Sequence, residues 1–80
     1  MKNAIQSISV IGLGYIGLPT AAVLASRKIK VVGVDIDQHA VDTINRGEIH
    51  IVEPELDIVV HAAVKEGWLR ATTRPEAADA

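Results

Sequence analysis

In Ile8-Ser9-Val10-Ile11-Gly12-Leu13-Gly14-Tyr15-Ile16-Gly17-Leu18-Pro19, a short β-branched run meets three glycines spaced G-x-G-x-x-G and then a proline. Ile8 to Ile11 is apolar and stops at a glycine, which predicts a strand buried on both faces, the first of an α/β unit. Pro19 must lie in the first turn of the helix that follows, because deeper inside it would remove a needed N–H and clash with the preceding turn. The Ala- and Leu-rich composition after it predicts a helix from Ile16 to about Arg27. The glycines therefore sit where a strand hands over to a helix.

Each glycine has its own physical task in that turn. Gly12 permits the tight exit from the strand, Gly14 removes the side chain that would hold a pyrophosphate off the backbone, and Gly17 lets the helix approach the first strand closely. The N–H groups of Tyr15 and Ile16 are then donors without helical partners at a helix N-terminus, where the aligned peptide dipoles favour an anion. By itself the spacing could mark any glycine-rich strand-to-helix turn. Asp35 supplies the second signal. It closes the next apolar run, Lys30 to Asp35, where a carboxylate can accept hydrogen bonds from the adenosine ribose hydroxyls of a dinucleotide. The same charge would repel the 2′-phosphate of NADP, and Ile36, Asp37 and Gln38 bring no arginine to offset it, so NAD is the expected cofactor. FAD proteins share the fingerprint, and these residues do not separate them from NAD proteins.

Further along, Asp37 is placed to cap a helix from Gln38 to Arg46 that Gly47 closes. Pro54 occupies an expected first helical position, and Leu56, Val59, Val60, Ala63 and Val64 recur at the spacing of one helix face, with Gly67 ending the helix. Trp68 to Thr72 offers a third strand, and Pro75 to Ala80 leads toward another element. This order predicts an α/β fold: a Rossmann-type doubly wound parallel sheet, first half only, with about three strands and flanking helices.

The bulk properties agree with a packed segment. Eighty residues allow one small domain or part of one. With no cysteine, packing alone must hold it together, and a reducing cytoplasm is the expected compartment. An apolar content of 49 % beside a net charge of −2 argues against disorder and leaves no basic footprint for nucleic acid. The apolar stretch from Ile8 to Ala25 is interrupted by Gly12, Gly14, Gly17 and Pro19, which suits two short elements better than a signal peptide or membrane span.

Several residues invite other readings. His39, His50 and His61 are evenly spaced, but Gly47 and Pro54 divide them among different elements, so no metal site is expected. Glu53, Glu55 and Asp57 are explained by favourable charge at a helix N-terminus. Trp68 is expected to cover the edge of the core.

The run Ser9 to Pro19, then Gly33-Val34-Asp35, Asn45-Arg46-Gly47 and Glu53-Pro54, resembles the N-terminal segment of the nucleotide-sugar dehydrogenases that make UDP-uronic acids, and most closely the branch acting on UDP-N-acetylmannosamine. The resemblance implies a cytoplasmic enzyme, a homodimer at full length, that oxidises a sugar 6-hydroxyl to a carboxylate in two NAD-dependent steps for cell-surface polysaccharide precursors. It also implies a catalytic cysteine and lysine well beyond this segment, with the UDP-sugar site and the C-terminal domain outside residues 1–80. Only cofactor contacts carry over: Gly12, Gly14 and Gly17 as geometry, the Tyr15 and Ile16 backbone for the pyrophosphate, and Asp35 for the ribose. Catalytic residues expected within the chain are none. The alternatives are another member of the family, such as one acting on UDP-glucose, and a non-catalytic module that binds a dinucleotide.

Overall fold

A computed structural model describes residues 7–75. Its elements are β1 (Ser7–Ile11), α1 (Gly17–Ser26), β2 (Lys30–Val34), α2 (Gln38–Asn45), α3 (Leu56–Lys65) and β3 (Leu69–Thr72). Both strand pairs are parallel, in the order β1-β2-β3, with Ile8 opposite Val31 and Val10 opposite Gly33. The expected parallel α/β architecture is therefore present. The continuation expected from Pro75 to Ala80 lies outside the described residues beyond Pro75.

The core forms on one face of the sheet. Val31, Leu69 and Ala71 pack there with Leu18, Ala21, Ala22 and Ala25 of α1, Val41 and Ile44 of α2, and Leu56, Val60 and Ala63 of α3. Side chains alternate along a strand, so Ser9, Ile11 and Arg70 take the opposite face. This corrects the expectation that β1 is buried on both faces. Its residues alternate between exposed and half-buried, and Ile11 is 72 % exposed. Among the described residues β1 has one strand neighbour, and their helices contribute to the core on one face only.

Asp37 caps α2 as expected, its carboxylate accepting from the N–H groups of His39 and Ala40. Gly47 and Gly67 follow their helices with φ of +82° and +88°, the left-handed conformation that a glycine adopts without strain. Pro54 departs from expectation. It sits in a turn before α3, which starts at Leu56, and Glu55 is the N-cap residue with φ +66° and no side-chain capping bond. Among the three acids, only Asp57 lies in the first turn of α3. Trp68 is half-buried against the core, and the Lys28 ammonium stands 5.7 Å from its ring centroid.

The outer edge of β3 is closed by a side chain. Trp68 and Thr72 give their carbonyls to Val31 and Asp35 of the neighbouring strand segment, so the alternate residue Ala71 turns its N–H and C=O outward. Asn45, at the end of α2, meets both: its Oδ1 accepts from Ala71 N–H at 2.8 Å and its Nδ2 donates to Ala71 O at 2.9 Å. A carboxamide thus takes the place of a neighbouring strand and ties α2 to β3. Asn45→Ala should cost about 1 to 2 kcal/mol in urea unfolding, the net worth of two such bonds. Asn45→Asp should cost at least as much, because a carboxylate oxygen would then face the Ala71 carbonyl. An aspartate variant as stable as the wild type would show that the pairing contributes nothing.

Candidate nucleotide site

The glycine turn is built around a buried leucine. Gly12, with φ +87°, leaves β1 while its N–H still bonds to Val34 O at 2.7 Å. Leu13 then turns inward and is 1 % exposed. It lies directly on Gly33, where an added Cβ would come within 2.7 Å of the leucine side chain. Gly33 therefore interrupts a β-branched strand to admit Leu13, a reason that a glycine inside a strand can signal.

Gly17 is under the tightest constraint. A Cβ there would collide with the Gly12 carbonyl oxygen and lie 2.8 Å from the Gly12 carbonyl carbon. Gly14 is the opposite, since nothing lies within 4 Å of an added Cβ. The first of the three glycines turns the chain, the last permits contact, and the middle one faces open space.

Helical bonding opens with Leu18 N–H donating to Gly14 O at 3.0 Å. Among the described residues the N–H groups of Tyr15 and Ile16 have no backbone acceptor, as expected for a helix start. They stand beside an open groove of about 600 Å³ that runs from Val10 and Gly12 past Gly14 and Tyr15 to Thr20. A second open groove, of about 400 Å³, extends from Ile11 and Gly12 along Asp35 and Ile36 to Thr73 and Pro75. Gly12 and Ile11 line both, so the two form neighbouring stretches of surface at the C-terminal ends of the strands.

Asp35 stands immediately past β2, and both its oxygens are engaged by backbone. Oδ2 accepts from Leu13 N–H at 2.8 Å and Oδ1 from Asp37 N–H at 2.9 Å. The Leu13 bond, then the Asp37 bond, hold the carboxyl below its ordinary pKa, with a further contribution from the His50 imidazole. Each oxygen keeps a second lone-pair site for another donor. Nothing in the sequence spacing announces the link from Asp35 to Leu13, 22 residues apart.

The other candidates do not gather here. His39 opens α2, His61 lies on α3 against Gly47, and His50 is on the intervening loop with its Nδ1 buried and without a hydrogen-bond partner. No group of three metal-ligating side chains occurs among the described residues. No described helix is long and apolar enough to cross a membrane.

A parallel sheet, a glycine turn opening a helix and an acid after the second strand together define a Rossmann-type dinucleotide-binding unit. The profile of the UDP-glucose/GDP-mannose dehydrogenase family, NAD binding domain, matches residues 6–80, and the chain belongs to that family. It is 73 % identical over 75 residues to the NDP-N-acetyl-D-galactosaminuronic acid dehydrogenase of Ralstonia nicotianae, covering 94 % of this chain and 18 % of that protein. It is equally 73 % identical over 74 residues to the UDP-N-acetyl-D-mannosamine dehydrogenase of Escherichia coli K12, covering 92 % and 18 %. The solved UDP-D-ManNAc dehydrogenase of Pyrococcus horikoshii superposes with a TM-score of 0.84 at 46 % identity, over 89 % of this chain and 17 % of that one. The chain thus spans less than a fifth of the length of the relatives it matches.

Proposed function

We propose that this chain is the first part of the NAD-binding domain of a longer nucleotide-sugar dehydrogenase, which oxidises the 6-hydroxyl of UDP-N-acetyl-D-mannosamine to the uronic acid in two NAD-dependent steps and so supplies cell-surface polysaccharide precursors in the cytoplasm. The observation that carries the cofactor part is the juxtaposition of the Tyr15 and Ile16 N–H groups, the open face of Gly14 and the Asp35 carboxylate along adjoining grooves. The pyrophosphate lies against the two N–H groups and the helix dipole, and Asp35 accepts from the adenosine ribose with its remaining lone pairs. Adenine lies beside Ile36, whose side chain is 94 % exposed. NAD supplies the hydride acceptor for both oxidations. Gly12, Gly14 and Gly17 hold the geometry, and the chain contributes no group to the sugar chemistry.

The mannosamine assignment rests on relatives of that name. The galactosaminuronic relative matches equally well and favours a second reading of the same class. Turnover separates them: the full-length protein should release two NADH per UDP-N-acetylmannosamine consumed, and a clear preference for the galactosamine epimer would replace the substrate. Residues 1–80 alone contain no cysteine for the covalent step. They should yield no NADH with any UDP-sugar, and NADH formation by the purified segment would sink this division of labour.

Nicotinamide is expected to extend beyond these residues. The segment should therefore bind ADP-ribose as tightly as NAD, within about twofold, since equal contacts give equal free energies. A marked preference for NAD in calorimetry would place a nicotinamide contact inside the chain.

A further inference from the structure

We propose that Asp37 is a second determinant of the choice of NAD over NADP, acting by closing the N-terminus of α2 to a 2′-phosphate; this rests on the placement of the adenosine ribose at Asp35 proposed above. The first N–H groups of a helix lack partners within it and attract anions. α2 begins at Gln38, only three residues past Asp35, and the Asp37 N–H itself donates to Asp35 Oδ1 at 2.9 Å. The start of α2 is thus attached to the carboxylate that would hold the ribose. A phosphate on the ribose 2′-oxygen would be offered these donors.

Asp37 takes them first. Its Oδ1 accepts from His39 N–H at 2.9 Å and from Ala40 N–H at 3.4 Å. The cap fills two of the first-turn donors that a phosphate would need, and it adds a second negative charge next to that of Asp35. No lysine or arginine occurs from Ile36 to Ala40 to offset the pair. Asp35 alone rejects the phosphate by repulsion at the ribose, whereas Asp37 removes the alternative of turning the phosphate toward the helix. Because Asp37 is exposed, its charge acts through solvent and should weaken as salt is added.

The two effects come apart by substitution. Asn caps a helix about as well as Asp, so Asp37→Asn keeps the helix start and removes only the charge. Gly costs a helix start little more, so Asp37→Gly removes the charge and also frees the donors. NAD and NADP are titrated by calorimetry against the purified wild type, both Asp37 variants and Asp35→Ala, at low and high ionic strength, with thermal melting as the control for folding. Asp37→Asn should leave melting and NAD affinity within about twofold of wild type and tighten NADP about fivefold at low salt, a gain that shrinks at high salt. Asp37→Gly should tighten NADP further, about tenfold or more, because the phosphate then gains the helix donors as well. An NADP-to-NAD ratio that stays at the wild-type value in both Asp37 variants, while Asp35→Ala moves it, overturns the proposal and leaves the ribose placement standing. A ratio unchanged in all three overturns both. Equal tightening of both cofactors also overturns it, since that is a general charge effect without discrimination. Should Asp37→Gly fail to fold, the Asn variant and its salt dependence still decide.

Discussion

Gly17→Ala should disable the unit at the level of folding, with a loss of about 3 kcal/mol or more, the upper range for forcing extra volume into a packed site. The added Cβ would meet backbone, the Gly12 carbonyl, and a peptide group cannot swing aside as a flexible side chain can. Either α1 withdraws from β1 or the turn at Gly12 opens, and each carries Leu13 out of its place on Gly33. Folded domains are only marginally stable, so the loss is a large fraction of the whole. It should appear as a clear drop in melting temperature. Gly14→Ala is the matched control. Nothing lies within 4 Å of its added methyl, so melting should be unchanged while NAD affinity falls about tenfold or more, the cost of holding the pyrophosphate off two backbone donors. A Gly17→Ala protein melting within a few degrees of wild type would show that the helix and turn adapt more readily than their contact implies.

That contrast also marks how far the sequence reaches. The spacing of Gly12, Gly14 and Gly17 identifies a strand-turn-helix because it depends on local backbone geometry, and Asp35 is legible as the acid that closes the second apolar run. The helix faces of α2 and α3 follow from periodicity in the same way. What stays hidden depends on partners distant in the chain. Leu13 looks like a filler between two glycines, yet its N–H anchors Asp35 and its side chain fills the gap at Gly33. The Gly33 interruption was visible in a β-branched strand and could have announced that close approach. Asn45 reads as an ordinary helix C-terminal residue, and only the pairing of β2 with β3 turns the outward N–H and C=O of Ala71 toward it.

Two expectations failed for related reasons. An apolar run such as Ile8 to Ile11 states that a strand is suited to burial, not which faces the rest of the fold covers. Among the described residues β1 has one strand neighbour, and no described helix covers its outer face. Pro54 marks the approach to a helix correctly, but Glu55 enters the left-handed region at φ +66° and delays the helix to Leu56. A proline constrains its own φ and disfavours helix in the residue before it, and neither rule governs the residue after it.

Asp35→Ala should change both cofactor choice and stability, and the two can be measured apart. Loss of a charge-assisted bond to the ribose should weaken NAD by about 1 to 3 kcal/mol. NADP should lose much less, or gain, because the same change removes a repulsion from its 2′-phosphate. The bonds to Leu13 and Asp37 add a second consequence, since alanine leaves both N–H groups without their acceptor and loosens the glycine turn. A drop in stability is therefore expected alongside the altered ratio, and it does not argue against the ribose contact. The acid limb of stability gives an independent reading. The folded carboxyl titrates below its ordinary value near 3.8, first because Leu13 N–H bonds to its charged form. Its contribution is then fully present above that ordinary value and is lost as the pH falls through the lower, folded one. Asp35→Ala should remove this part of the acid dependence while leaving the neutral-pH loss in place. If Asp35 only braces the turn, the variant will weaken NAD and NADP alike and their ratio will match wild type. If it also reads the ribose, the ratio will move toward NADP by about tenfold, the affinity equivalent of 1.4 kcal/mol. Titration of both cofactors against the folded variant distinguishes these outcomes, and the melting curves at neutral and acid pH measure the brace separately.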